Sequence, residues 1–270
     1  MAKVNGKNRY VAILEDIFHA KHQAGLREFV FEREDMARSA AKLEIKPPKN
    51  VGDLIYSFRY RQELPPSILE TAPGGETWII RAAGRSKYRF VLVRDVPLIP
   101  NPNLVVTKVP DATPGIIARN AFGDEQAVLA LARYNRLIDI FLGIVCYSLQ
   151  NHLRTTVRGI GQVETDEIYV GLDKRGSHYV IPVQAKGGRD QLTRVQIEQD
   201  FAMCAEKLPS LICQPVGLQL MRNDLIGLFA FEQDGDEVNI VSEQHYQLVP
   251  ADDVTAEDLA RYRQRLSETK

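Results

Sequence analysis

Residues 162–188 read QVETDEIYVGLDKRGSHYVIPVQAKGG. Two apolar-rich runs flank a polar, Gly-containing turn, DKRGS, which is the pattern of a β-hairpin with long arms. The second arm begins as a buried strand, with Tyr179, Val180, Ile181 and Val183. It then sets Gln184 and Lys186 where apolar residues should continue, and stops on Gly187 and Gly188. With Leu172 opposite His178, antiparallel pairing places Gln184 across from Asp166 and Lys186 across from Glu164. Residues two apart on a strand share a face, so Glu164, Asp166, Gln184 and Lys186 form one polar cluster. A turn one residue shorter puts Glu167 in the place of Asp166.

The neighbouring sequence supplies the remaining elements of an α/β core. GDEQAVLALARYNRLIDIFLGIVCYSL reads as a long helix starting near Asp124, and LRTTVRGIG as a short strand. DQLTRVQIEQDFAMCAEKLP is an amphipathic helix, and PVGLQLM and LIGLFAFE are strands. The expected order is α-β-β-β-α-β-β. Carboxylates with an amide oxygen suit a hard divalent cation such as Mg2+ or Mn2+, which polarises a phosphodiester. A lysine beside them stabilises charge developing on the phosphate. An ammonium on a buried strand also requires an anion nearby. The bland alternative for Asp166 and Lys186 is a cross-strand salt bridge at a sheet edge.

An acid on one arm of a hairpin, followed by QAK at 184–186 on the other, resembles the PD-(D/E)xK nuclease superfamily in a Gln-x-Lys form. The resemblance covers about residues 116–232. It implies a restriction-endonuclease-like core, α-β-β-β-α-β, in which Asp166 is the principal metal ligand, Gln184 the second and Lys186 the catalytic lysine. It also implies a glutamate from the first helix, for which Glu125 in GDEQAV is the match. There is no Pro-Asp pair before the acid. Glutamine brings less charge than a carboxylate, which gives Glu125 or Glu164 a compensating role. The activity implied is Mg2+-dependent hydrolysis of DNA to 5′-phosphate and 3′-hydroxyl ends, as in a type II restriction endonuclease. Two competing expectations are a DNA-binding regulator with a degenerate nuclease fold, and a repair or anti-phage nuclease acting on branched or modified DNA.

Upstream, residues 96–115 hold five of the 14 prolines and read as an extended connecting arm. It separates a first domain, 1–95, from a second, 116–270. The first domain reads helix (Asn8–Gln23), strand (REFVFERED), helix (EDMARSAAKLEI), helix (NVGDLIYSFRYRQEL, with Asn50 as cap) and hairpin (residues 76–95). That order resembles a winged helix-turn-helix. Its third helix offers Tyr56, Ser57, Arg59, Tyr60 and Arg61 to a DNA groove, and the hairpin tip offers Arg85, Lys87 and Arg89 to the backbone. The alternative is a solvated amphipathic helix with an ordinary hairpin.

The charge distribution agrees with this division. Residues 1–95 carry 17 Lys/Arg against 12 Asp/Glu, within a chain whose net charge is −1. A cation-rich first part suits phosphates, and an acidic remainder suits metal. The three cysteines, Cys146, Cys204 and Cys213, have neither zinc nor disulfide spacing. They indicate reduced thiols in a cytoplasmic protein. No apolar run is long enough for a membrane span, and the first ten residues lack a signal core. The expected partner is double-stranded DNA. Cutting both strands with one site per chain implies a homodimer.

Overall fold

The computed structural model describes residues 3–4, 7–46, 51–84, 86–120, 125–188 and 190–268. Helix α1 (Arg9–Lys21) starts where the Asn8 side chain accepts the Tyr10 N–H, and it buries Ile13, Leu14, Ile17 and Phe18. Strand β1 (Glu28–Glu32) runs directly into α2 (Arg33–Lys42) through a capping box between Glu32 and Asp35. Helix α3 (Val51–Tyr60) buries Leu54, Ile55 and Phe58, the stripe its spacing predicts. The expected Asn50 cap lies outside the described residues. Strands β2 (Glu76–Ala82) and β3 (Lys87–Arg94) form the expected hairpin. Strand β1 pairs with β3, giving a three-stranded antiparallel sheet in the order β1-β3-β2. Phe18, Phe31, Trp78 and Phe90 form the aromatic centre of this half's core.

The proline-rich segment is extended, as expected, but it is no free connector. Val96 and Leu98 pack with Leu192, Phe229 and Phe231, and Val106–Pro110 is strand β4 on the edge of a large sheet. Proline is tolerated at a sheet edge because no ladder bond is lost there.

The expected long helix is two short helices and a strand. Helix α4 (Glu125–Tyr134) ends at Arg136, whose φ is 51°. Helix α5 (Leu137–Leu142) ends on Gly143, also left-handed with φ 65°. The chain then extends as β5 (Val145–Val157), so VCYSL is strand and not helix. The following elements are β6 (Gly161–Leu172), β7 (His178–Lys186), α6 (Arg194–Lys207), β8 (Val216–Leu220), β9 (Leu225–Asp234), β10 (Glu237–Val249) and α7 (Ala256–Glu268). The mixed sheet runs β4-β10-β9-β8-β7-β6-β5, parallel at β4/β10 and β8/β7 and antiparallel elsewhere. Helices α4 and α5 cover one face through Val128, Leu129, Leu137 and Ile138 against Ile181, Val183 and Leu218. On the other face α6 sets Met203 and Cys204 against Val163, Ile168 and Val180. Among the described residues no helix is long and apolar enough to cross a membrane.

The two halves meet along α6. Glu198 accepts two bonds from Arg81 of β2, at 2.9 and 2.6 Å, and one from Arg194 at 2.8 Å. Gln199 donates to the Tyr60 hydroxyl of α3 at 2.7 Å.

Candidate active site

The β6/β7 hairpin pairs in the predicted register, from Leu172 opposite His178 to Glu167 opposite Val183. The next rung, Asp166 with Gln184, is not a backbone pair. There the Asp166 side chain enters the gap, and its Oδ2 accepts the Ala185 N–H at 2.8 Å. The distortion continues on the other side of β6. Rungs Asn151–Glu167 and Leu153–Thr165 form, while His152 between them is left-handed, with φ 53°. Thr165 bonds Asp200 of α6, and Ile168 also packs against α6. Residues three apart on a regular strand would face opposite ways, so β6 turns over between Thr165 and Ile168, although its register with β5 holds there and shifts only between Ser148 and Gln150.

That reversal directs Glu167 away from α6. Glu167 is fully buried and accepts from Arg133 Nε of α4 at 2.9 Å and from Ser148 at 2.7 Å. Asp166 instead faces the end of β7. Burial pushes its carboxyl above the usual range; the Ala185 N–H and the Lys186 ammonium pull it down, and Glu125 and Glu164 push it up.

Lys186 is 9% exposed, and its Nζ lies 3.2 Å from Glu125 Oε1 in the first turn of α4. Register alone put Glu164 opposite this lysine. The β6/β7 ladder stops at Glu167 and Val183 before reaching them, and the Glu164 carboxylate sits with His152 at 2.9 Å and Arg154 at 3.1 Å. Asp166, Lys186 and Glu125 therefore converge, with Glu164 at the margin.

Gln184 points to the other face. It is 1% exposed, and its Nε2 donates to both oxygens of Asp200, at 3.2 and 3.0 Å, and to the Glu164 carbonyl at 3.1 Å. Its Oε1 accepts from Gln196 Nε2 at 3.2 Å. The oxygen assigned to a metal is thus occupied by an amide from α6. Asp200 also accepts from the Thr165 hydroxyl at 2.5 Å. Burial raises the Asp200 carboxyl to about 7; Thr165 and Gln184 oppose the rise and Asp166 adds to it. Sequence reasoning missed Asp200. The available signal was a carboxylate in an apolar stripe, between Ile197 and Cys204 on α6. It also missed Gln219 of β8, opposite Lys186, whose Nε2 donates to the Asp190 carbonyl at 3.0 Å and ties down the chain leaving β7.

The residues assigned to DNA divide into two groups. Tyr60 spends its hydroxyl on Gln199, and Arg59 is 9% exposed with its guanidinium 4.9 Å from the Tyr60 ring. Tyr60 belongs to the contact between halves and Arg59 is buried against its ring, which corrects their placement in a groove-facing row. Burial raises the Tyr60 hydroxyl, and the Glu164 carboxylate adds to the rise, so this contact lies beside the candidate site. Ser57 accepts from Gln62 within its own turn. Tyr56 and Arg61 are exposed, with the guanidinium 5.0 Å from the ring. Lys87 and Arg89 pair with Glu32 and Glu28 of β1 at 2.8 and 3.2 Å. Arg85 lies outside the described residues.

Among the described residues, no three His, Cys, Asp or Glu side chains form a cage for a metal ion. Asp166 and Glu125 still fit a strongly hydrated cation, because Mg2+ is commonly held by one or two carboxylates with water and substrate phosphate completing its shell. Compared with known proteins, the chain matches no family model and no curated sequence, so the reading of this site rests on its own geometry.

Proposed function

We propose that the protein is a divalent-metal-dependent DNA endonuclease of PD-(D/E)xK type. The observation carrying this reading is the convergence of Asp166, Lys186 and Glu125 where β6 and β7 part. The order α4-β5-β6-β7-α6-β8 is also the order the resemblance implies. Asp166 and Glu125 would hold a Mg2+ or Mn2+ ion, which when bound supplies Lewis acidity to a phosphodiester. Lys186, held by Glu125, is placed to donate to a phosphate oxygen as negative charge builds on phosphorus. Water attacks phosphorus, the bond to the 3′ oxygen breaks, and the products are a 5′-phosphate and a 3′-hydroxyl. Asp200 stands behind Gln184, and only its ionised form, gained as pH passes about 7, would add negative potential at Asp166.

In this reading the N-terminal half works as a winged helix. Its sheet order and helix sequence support that. DNA would meet Tyr56, Arg61 and the hairpin, whose exposed ion pairs with Glu28 and Glu32 are weak enough to exchange for phosphate. Two copies would cut the two strands, as a type II restriction enzyme does.

Plasmid cleavage by purified protein with Mg2+, with and without chelator, tests the proposal. Lys186→Ala and Asp166→Ala should each abolish cutting and leave DNA binding largely intact. Cutting that survives either change, or that persists in chelator, overturns it. One observation favours a second reading: Gln184 is bonded away from Asp166, as in a nuclease fold that binds DNA without cutting. Mg2+-independent DNA binding with no cleavage of any duplex would establish that alternative.

A further inference from the structure

A cavity of about 280 Å3 opens on the α4/α5 side of the sheet. Its walls include Arg133, Arg136, Ile138, Tyr147, Ser148 and Tyr169. Tyr169 is 3% exposed, and its hydroxyl forms no well-made hydrogen bond, approaching Arg133 and Glu167 only loosely. Burial, then the Glu167 carboxylate, push this phenol upward, so it stays protonated and able to donate. A buried polar group without a partner is costly in the free protein, and a ligand that supplies the partner removes the cost.

The chemistry of the walls narrows the ligand. Arg133 is paired with Glu167, and Arg136 with Asp139, so the site has no surplus positive charge to draw a free phosphate. What it offers is a polar edge and an apolar body. Arg133 donates, the Ser148 oxygen can accept, and the Tyr169 hydroxyl can do either. Ile138 and Ala132 are apolar, and Tyr147, 61% exposed, presents a ring at the opening. Planar heterocycles with donors and acceptors along one edge match this set. Tyr169 lies three residues along β6 from Asp166, roughly 10 Å at strand spacing. Glu125 and Arg133 belong to the same helix, so the cavity and the candidate active site share one side of the sheet.

We propose that this cavity receives a single unstacked nucleobase. Its ligand class is argued from the walls. That the base belongs to a bound DNA strand rests on the nuclease reading. Pulling one base from the stack is the way enzymes reach or inspect it, and pockets for it combine edge hydrogen bonds with aromatic or apolar faces.

The test uses saturation-transfer NMR on the full-length protein with each of the four deoxynucleosides in turn. At least one should receive saturation at its base protons. Tyr169→Phe and Tyr147→Ala should each weaken that nucleoside about tenfold. Since the hydroxyl has no well-made hydrogen bond to lose, Tyr169→Phe should melt within a few degrees of the wild type. Tyr147 is exposed, so its variant guards against a folding artefact. Absence of transfer from all four nucleosides overturns the proposal, as does transfer that both variants retain or that inorganic phosphate abolishes. Duplex binding, measured separately, keeps the two readings apart. Nucleoside binding without duplex binding leaves the cavity assigned and removes the nuclease. Duplex binding without nucleoside binding does the reverse.

Discussion

The buried carboxylate of Asp200 should make stability fall as pH rises, and replacing it should remove that slope. Its folded value is about 7, whereas an unfolded aspartate titrates near 3.9. Between those values the folded chain holds a proton that the unfolded chain has released. Stability from this group is therefore complete below about pH 4 and is lost as pH climbs through about 7. A gap of about three units is on the order of 4 kcal/mol at full ionisation. Asp166 is raised too and adds to the slope in the same direction. In Asp200→Asn the neutral amide cannot titrate, and its oxygen can still accept from the Thr165 hydroxyl and the Gln184 amide. Urea midpoints by circular dichroism at pH 5, 6, 7 and 8 should fall steeply for the wild type. For the variant they should fall by the smaller amount left to Asp166. Equal slopes in the two proteins, or a flat wild type, would refute the claim that this carboxyl is held protonated by burial.

Three further outcomes are expected. Thermal denaturation should shift upward with Mg2+, by about 2.7 kcal/mol at a hundredfold excess over Kd, and Asp166→Ala should lose the shift; calorimetry with and without the ion decides. Glu198→Ala removes the carboxylate shared by Arg81 and Arg194, whose side chains are 15% and 8% exposed, while Arg194 keeps Glu237 and both keep the Asp236 carbonyl. It should cost about 1–3 kcal/mol and split the calorimetric transition as the N-terminal half melts earlier; an unchanged single transition counts against this lock. Gly217→Ala would set a Cβ 2.4 Å from Leu192 Cδ1 and 3.1 Å from the Phe231 ring. It should cost about 1–3 kcal/mol, read as a lower urea midpoint with secondary structure retained.

The hairpin of β6 and β7 was legible because its alternation is strong and its turn is polar and contains glycine. The turn left two registers open, and pairing Leu172 with His178 is the one found. The reversal of face between Thr165 and Ile168 was not legible, since nothing in TDEIYV fixes it; Ile168 and Val170 fit either face. Strand β5 was hidden in LIDIFLGIVCYSL, an apolar run too dense for periodicity to separate helix from strand, although Gly143 marks the break. Strand β4 was hidden among prolines. Strand β10 and helix α7 were not read from the sequence, although EVNIV alternates and Leu259, Tyr262 and Leu266 fall at helical spacing. The docking of Tyr60 on α6 is a tertiary fact. An amphipathic helix announces which side is apolar, but not which part of its polar side meets another half of the chain.

Helix α6 explains why the candidate site and the N-terminal half belong to one device in the proposed function. Within five consecutive residues, Gln196 holds Gln184, Glu198 clamps Arg81, Gln199 holds Tyr60, and Asp200 holds Gln184 and Thr165. A helix is stiff over so short a span, with 1.5 Å of rise per residue. Tyr60 therefore cannot shift on α6 without straining a helix turn whose next residue is Asp200. A DNA contact at Tyr56 or Arg61, one turn or less from Tyr60, would act on the same lever. Because α6 is fixed at its start by the Thr193–Gln196 capping box and along its length by Met203 and Cys204 in the core, strain entering at Gln199 finds little outlet except the buried amides and carboxyl around Gln184. That is the route by which occupancy of the N-terminal half would alter the charge behind Asp166.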